Sequence, residues 1–226
     1  MLRMLRPATL ALLLLTEVVG FTQKNTVYVP RKWAVTTGAF VTPAPAVWGG
    51  YVAVQRRISK QWALLGELGF APEANRVSSR FDDWSYVRTA IEAKWYFADY
   101  REIGLYFSSY NGFTIRSFTR ISNSYYEPAE RSTDSVFFFD AAQVRSPFLV
   151  NVVRLGFEVR AGGRFVIDMS SGAGVRSFFT KYESFINRRL QPVLFEEVFF
   201  SDPAYEYNRT KNRFAINVSM RVGYNF

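Results

Sequence analysis

The C-terminal segment from Arg213 to Phe226 alternates between two chemically different sets of side chains. Successive side chains of a strand point to opposite faces, so the pattern predicts a strand with one wholly apolar face. The segment is long for a globular sheet, where five or six residues are usual, whereas a tilted strand that crosses a bilayer needs roughly nine to eleven. A membrane strand and the last strand of a soluble sandwich both fit it. The apolar set is Phe214, Ile216, Val218, Met220, Val222, Tyr224 and Phe226.

The N-terminal segment has the features of a secretory signal peptide. Arg3 and Arg6 precede a short apolar run, and small or polar residues follow it. That run is too short for a membrane-spanning helix, and cleavage after Gly20 or after Thr22 would fit equally well. We therefore expect a signal peptide over residues 1–22, a lead-in over 23–31 and one domain over 32–226.

Composition favours a sheet that exposes one apolar face. Aromatic residues make up 18% of the chain and charged residues 21%, and there is no cysteine. The missing cysteine argues against a lipid anchor and against a disulfide framework. No segment after the signal supplies the apolar stretch of a membrane helix, so alternating strands are the better explanation for so many aromatics.

Alternation along the rest of the chain predicts further strands of the same kind. An even number of antiparallel strands can close on itself and leave no unpaired backbone edge. The sequence thus predicts an all-β fold, an eight-stranded antiparallel up-and-down transmembrane β-barrel. The predicted strands cover residues 32–41, 47–56, 62–70, 85–97, 103–116, 149–160, 165–177 and 213–226.

The predicted connections divide into short and long ones. Those over 57–61, 98–102 and 161–164 are short, and those over 71–84, 119–148 and 179–212 are long. The long connections all fall at one end of the predicted barrel. The connection over 42–46 lies at the same end and is the short exception there. Short periplasmic turns and long outer loops are typical of outer-membrane barrels.

The tryptophans lie near the ends of the predicted strands and avoid their centres. Indole prefers the boundary between hydrocarbon and headgroups, so this placement indicates two aromatic girdles. The predicted girdle residues are Trp33, Trp48, Trp62, Trp84 and Trp95.

The polar face of the predicted strands carries both acids and bases. Eight strands enclose only enough room for side chains, and mixed charges there can pair with one another. We therefore expect an ion-paired plug inside the barrel and no open channel. The predicted lumen charges are Glu67, Arg88, Glu92, Lys94, Arg154, Glu158, Asp168, Arg176 and Arg221.

The chain offers no recognisable catalytic chemistry. It contains no histidine, the usual general base near neutral pH, and no cysteine for a metal cluster. We predict no catalytic, cofactor-binding or metal-binding residues. The net charge of +9 is spread along the chain, so a nucleic-acid partner is not indicated.

Several short motifs resemble one known family. The segments 104–107, 49–51, 162–168 and 222–226 combine glycine with aromatic or alternating residues. With them, the whole mature chain resembles a small eight-stranded outer-membrane β-barrel of the OmpA/OmpX type, and more particularly the uncharacterised barrels found in Bacteroidota. The resemblance implies a monomer in the outer membrane of a Gram-negative bacterium, in contact with lipid and lipopolysaccharide. It also implies that barrel-insertion machinery reads Tyr224 and Phe226 as an assembly signal.

These observations favour a non-enzymatic barrel for envelope structure, or for binding and adhesion through its loops, with an extracellular protein or glycan as a possible partner. A histidine-free barrel enzyme and a secreted, soluble lipocalin-like carrier are the alternatives. The two longest predicted loops are rich in aromatics, which predicts a contact surface unless the strands extend and these side chains pack together. The aromatics concerned are Tyr125, Tyr126, Phe137, Phe138, Phe139, Phe195, Phe199, Phe200, Tyr205 and Tyr207.

Overall fold

A computed structural model describes residues 32–43, 46–71, 81–100, 102–127, 135–162, 164–191 and 210–226. The predicted signal peptide and lead-in lie outside these residues. Within them, no helix is long and apolar enough to cross a membrane.

The described residues form strands joined by turns and short irregular segments. The all-β, antiparallel prediction is confirmed, and the third strand has the predicted bounds. The strands are β1 (Trp33–Pro43), β2 (Ala46–Arg57), β3 (Trp62–Phe70), β4 (Phe81–Asp99), β5 (Ile103–Glu127), β6 (Ser135–Arg145), β7 (Phe148–Ala161), β8 (Phe165–Phe179), β9 (Lys181–Ile186), β10 (Arg189–Gln191) and β11 (Thr210–Asn225).

Eight of these strands hydrogen-bond into a closed ring. Going round it, the order is β1, β2, β3, β4, β5, β7, β8 and β11, and every neighbouring pair is antiparallel. The ring closes where β1 pairs β11, from Ala34 opposite Asn225 to Thr37 opposite Val222. The ring strands correspond to the eight predicted from alternation.

The ring turns large apolar side chains outward, and its charged side chains point inward together with a cluster of aromatic and small apolar ones. Along β7, exposed and buried residues alternate almost without interruption. On β11, Phe214 and Val218 are 74% and 77% exposed, whereas Arg221 is 1% exposed. A water-soluble domain has the opposite arrangement, because large apolar side chains are normally the buried ones.

Three of the described strands lie outside the ring. They fall within the segments 119–148 and 179–212, which were predicted as loops, so that prediction is corrected. β5 continues beyond the ring and pairs β6, and β6 in turn pairs β9 and β10. Alternation does continue past Arg116, since Phe118 and Arg120 are buried while Ser117 and Thr119 are partly exposed. The buried face mixes arginine with aromatics there, so hydropathy alone does not mark it. We call these outer strands the extension.

The extension joins the ring at a buried polar contact. β5 changes its partner here, from β7 at Thr114 to β6 at Ser117. Arg116 Nε donates a hydrogen bond to the Ser146 carbonyl oxygen at 2.9 Å, and the Ser146 and Thr180 hydroxyls lie 2.7 Å apart. These contacts fix the position at which β6 ends and β7 begins.

Candidate functional site

The charged side chains predicted for the interior all lie on the inward parity of ring strands. All of them are buried except Arg88 and Arg176, which are partly exposed. We call the half of the interior towards the β2–β3, β4–β5 and β7–β8 connections the lower half, and the opposite half the upper half. The two halves differ in how their charges are paired.

Arg221 is the centre of the ion-pair network. Its guanidinium lies 2.7 Å from a Glu92 oxygen, 3.1 Å from an Asp168 oxygen and 3.3 Å from a Glu67 oxygen. These carboxylates come from β3, β4 and β8, so one side chain of β11 links strands from different parts of the ring. Glu67 also pairs Arg88 at 3.0 Å.

The network continues downward through Lys94 and Glu158. Lys94 Nζ lies 2.6 Å from Asp168 Oδ2 and 3.9 Å from Glu158 Oε2. Arg160 Nε donates to Glu158 Oε1 at 2.6 Å, which places a further arginine in the network.

Sequence reasoning missed three members of the lower network. Arg57 and Arg160 both bind Asp99, at 2.6 Å and 2.7 Å. Arg160 shares the parity of Arg154 and Glu158, so the alternation along the strand would have predicted its inward position. Asp99 was hidden because an irregularity between Tyr96 and Ala98 shifts the register of β4, which breaks simple parity.

Tyrosine and serine hydroxyls complete the hydrogen bonding of the buried carboxylates. Tyr96 donates to Glu158 at 2.8 Å, Tyr106 donates to Asp168, and Ser108 donates to Glu92 at 2.6 Å. Glycines make room for these rings: a Cβ on Gly156 would collide with the Tyr106 ring. Such bonding lowers the cost of burying charge, and Lys94, Tyr96 and Tyr106 are fully buried in the lower half.

The upper half contains a cavity of about 70 Å³. Three arginines line it, and no acidic residue does. Aromatic rings and small polar groups form the rest of the wall. The wall includes Arg88, Arg154, Arg176, Tyr51, Tyr86, Tyr110, Phe148, Thr114, Asn217 and Ser219.

The three arginines are held to different degrees. Arg88 donates to the Tyr110 hydroxyl and pairs Glu67. The Arg154 guanidinium carbon lies 3.6 Å from the centroid of the Tyr110 ring and one nitrogen lies 3.4 Å from Glu92, yet none of its nitrogens makes a hydrogen bond within the described residues. Among those residues no carboxylate pairs Arg176, which lies over Phe148 at 5.3 Å.

Three predicted girdle tryptophans project outward at the lower end of the ring. Trp33, Trp62 and Trp95 are 45%, 48% and 39% exposed, and Trp62 lies directly opposite Trp95. Phe107 stacks on Trp95 with centroids 6.4 Å apart, which extends the aromatic row. Trp48 and Trp84 lie in β2 and β4, but their side chains are outside the described part.

The predicted assembly signal lies at the closing seam. The Phe226 amide donates to the Trp33 carbonyl oxygen at 2.8 Å, and its side chain is exposed. Tyr224 packs edge-to-face against Phe165 and Phe226, with centroids 5.8 Å and 5.1 Å away.

The predicted loop aromatics do not act as one exposed set. Phe139 is only 2% exposed and belongs to a buried cluster with Phe118 and Tyr182, so its assignment to a contact surface is wrong. Phe137 is partly buried against that cluster, and Phe138 points outward. The other predicted residues have undescribed side chains or lie outside the described residues: Tyr125, Tyr126, Phe195, Phe199, Phe200, Tyr205 and Tyr207.

Comparison of the chain with protein-family profiles, with curated proteins and with solved structures found no match in any of the three. Within the described residues, no group of three or more acidic side chains is arranged to hold a metal ion. The ring, its outward face and its interior are the features of the molecule that bear on function.

Proposed function

We propose that the protein is a non-enzymatic, monomeric outer-membrane β-barrel of the OmpA/OmpX type in a Gram-negative bacterium, with an interior closed by ion pairs. Its role would be envelope structure, or binding through the outer end. The observation that carries the proposal is the closed ring with apolar side chains outside and charges inside. Exposed apolar area costs about 25 cal/mol per Å² in water, and a lipid phase removes that cost.

Closure of the ring supports the same proposal. Hydrocarbon offers no hydrogen-bond partner, so a sheet can cross it only when no edge strand is left unpaired. Pairing of β1 with β11 closes the ring here, at residues 34–37 and 222–225. The outward apolar side chains of this closed ring are what membrane lipid and lipopolysaccharide would contact.

The aromatic rows and the connections supply an orientation. In outer-membrane barrels the short turns face the periplasm and aromatic girdles mark the membrane boundaries. Trp33, Trp62 and Trp95 would then lie at the periplasmic boundary, and the extension would lie outside the cell. Tyr224 and Phe226 would be read by the insertion machinery before closure.

The interior supports a closed barrel and disfavours a carrier. A soluble lipocalin-like carrier would need an apolar cavity for its ligand, whereas this cavity is lined by arginines. A histidine-free enzyme remains the alternative if activity is found. In planar bilayers we expect no large, steady conductance from the purified protein, because buried, ion-paired side chains occupy the lower half. Such a conductance would refute the proposed plug.

A depth-dependent substitution tests the membrane location. Val153 is 66% exposed in the middle of β7, and Ala161 is exposed at its end. At a bilayer centre, Val153→Arg should lower the free energy of unfolding by about 2–4 kcal/mol, and Ala161→Arg by about 0–1 kcal/mol. The measurement is urea unfolding from lipid vesicles. In water, both changes would fall within about 0.5 kcal/mol of the original protein.

Fractionation supplies the direct check on location. A folded outer-membrane barrel should be recovered with outer membranes and should migrate differently on a gel before and after boiling. Recovery of the protein in the soluble fraction, with equal mobility in both samples, would refute the proposal.

A further inference from the structure

We propose that the upper cavity is a binding site for a small phosphate-type oxyanion, either inorganic phosphate or the end of a phosphate monoester. This inference goes beyond the barrel function proposed above. It rests on four features of the cavity: its charge, its unused hydrogen-bond donors, its aromatic wall and its size.

The charge of the cavity is not balanced by its own wall. Arg88, Arg154 and Arg176 all line it, and no lining residue is acidic. The nearest partners are Glu67 beside Arg88 and Glu92 beside Arg154, and Arg221 draws on both of these carboxylates as well. Positive charges gathered behind low-dielectric walls attract an anion strongly.

Buried donors point to a ligand more directly than charge does. Arg154 is 1% exposed, and its Nε and both terminal nitrogens have no hydrogen-bond partner within the described residues. Arg176 Nε is also buried without a partner there. Buried hydrogen-bond donors nearly always have an acceptor, because an unpaired buried donor costs free energy. An anion bound between Arg154 and Arg176 would supply the missing acceptor.

The aromatic wall holds the guanidinium groups in place. Arg154 stacks on Tyr110 at 3.6 Å, and Arg176 lies over Phe148 at 5.3 Å and over Phe178 at 5.9 Å. A guanidinium presents its donors as a planar fork that matches two oxygens of a phosphate. Donors fixed before binding favour a multi-oxygen anion over a spherical ion such as chloride.

The volume sets the class of ligand. One water occupies roughly 10–15 Å³ on this measure, so a cavity of about 70 Å³ has room for a few heavy atoms. That matches a tetrahedral oxyanion and excludes a nucleotide or a sugar chain. Thr114, Asn217 and Ser219 also line the cavity and carry polar groups that could complete the shell.

Calorimetric titration of the full folded chain in detergent tests the proposal. Inorganic phosphate and glycerol phosphate are compared with chloride at equal ionic strength. We expect saturable phosphate binding that weakens about tenfold or more in Arg176→Gln, because one fork of charged hydrogen bonds is lost. Arg164→Gln is the matched control, since it removes the same charge from an exposed position outside the cavity.

The arms of the experiment separate the possible outcomes. Binding of phosphate alone assigns the free ion, and binding of glycerol phosphate as well assigns a phosphate end group. Arg176 has no ion pair to lose among the described residues, so Arg176→Gln should fold. Arg154→Gln is first checked for gel mobility. It should then bind phosphate more weakly than Arg176→Gln does. Absence of saturable binding, an equal response to chloride, or unchanged affinity in Arg176→Gln would each overturn the proposal.

Discussion

The lower and upper halves of the ring interior both contain inward cations, but they differ in how those cations are paired. In the lower half, Glu158 and Asp168 each contact two or more cations and a tyrosine hydroxyl. In the upper half, Arg154 and Arg176 share a cavity wall on which no carboxylate lies. The comparison shows that inward parity alone does not pair the charges; the placement of the carboxylates decides in which half the cations are paired.

The difference predicts opposite responses to mutation. Removing one partner from a satisfied buried network leaves an uncompensated charge, which is strongly destabilising. Removing a cation that lacks a partner relieves repulsion and costs little. Three substitutions, from the largest expected effect to the smallest, test this contrast.

The largest effect is expected from Glu158→Gln in the lower half. The change would leave Arg160 and Lys94 without their shared carboxylate, and we expect the free energy of unfolding to fall by about 3–5 kcal/mol. Urea unfolding in lipid vesicles measures it. Asp140→Asn is the control, because its pair with Arg189 is exposed and should contribute about 0–1 kcal/mol. If Glu158→Gln and Asp140→Asn lowered the free energy of unfolding equally, the buried network would be no more important for stability than an exposed ion pair.

A steric change tests how tightly the lower half is filled. In Gly156→Ala the new methyl group would meet the Tyr106 ring, which is fully buried and bonded to Asp168. We expect a loss of about 1–3 kcal/mol from overpacking, read from the same unfolding curves. Gly66→Ala serves for comparison, since nothing lies within 4 Å of its new Cβ. If Gly156→Ala is as mild as Gly66→Ala, the lower half has spare room.

The smallest effect is expected from Arg176→Gln in the upper half, measured without phosphate. Loss of its contacts with Phe148 and Phe178 costs about 0.5–1 kcal/mol, and relief of repulsion from Arg88 and Arg154 offsets it. The net change in unfolding free energy should therefore be near zero. A loss as large as that of Glu158→Gln would show that Arg176 is paired after all.

Much of the ring could be predicted from the sequence because alternation is a local signal. β3 was predicted with its observed bounds, and the two faces of β11 are as the alternation indicated. The extension could not be predicted in the same way. Its strands are short or mix arginine with aromatics on one face, and β6, β9 and β10 depend on pairing with distant segments.

The sequence predicts which charged residues point into the ring, but it does not predict which of them contact one another. Parity places Glu92, Asp168 and Arg221 inside, whereas only the register of strands far apart in sequence brings them within ion-pair distance. The cavity was beyond sequence reasoning for the same reason. Its unbalanced charge depends on which inward residues of different strands meet around it, and this becomes visible only once the strands are placed around the ring.

The length of β5 has a mechanical consequence. This strand, Ile103–Glu127, runs without a break from the lower end of the ring into the extension. It pairs β4 over residues 104–120 on one edge, and it pairs β7 over residues 103–114 and then β6 over residues 117–127 on the other. The backbone that anchors the extension is therefore the same one that holds Tyr110 and Thr114 in the cavity wall. A pull on the extension outside the ring would reach the cavity wall through this one strand.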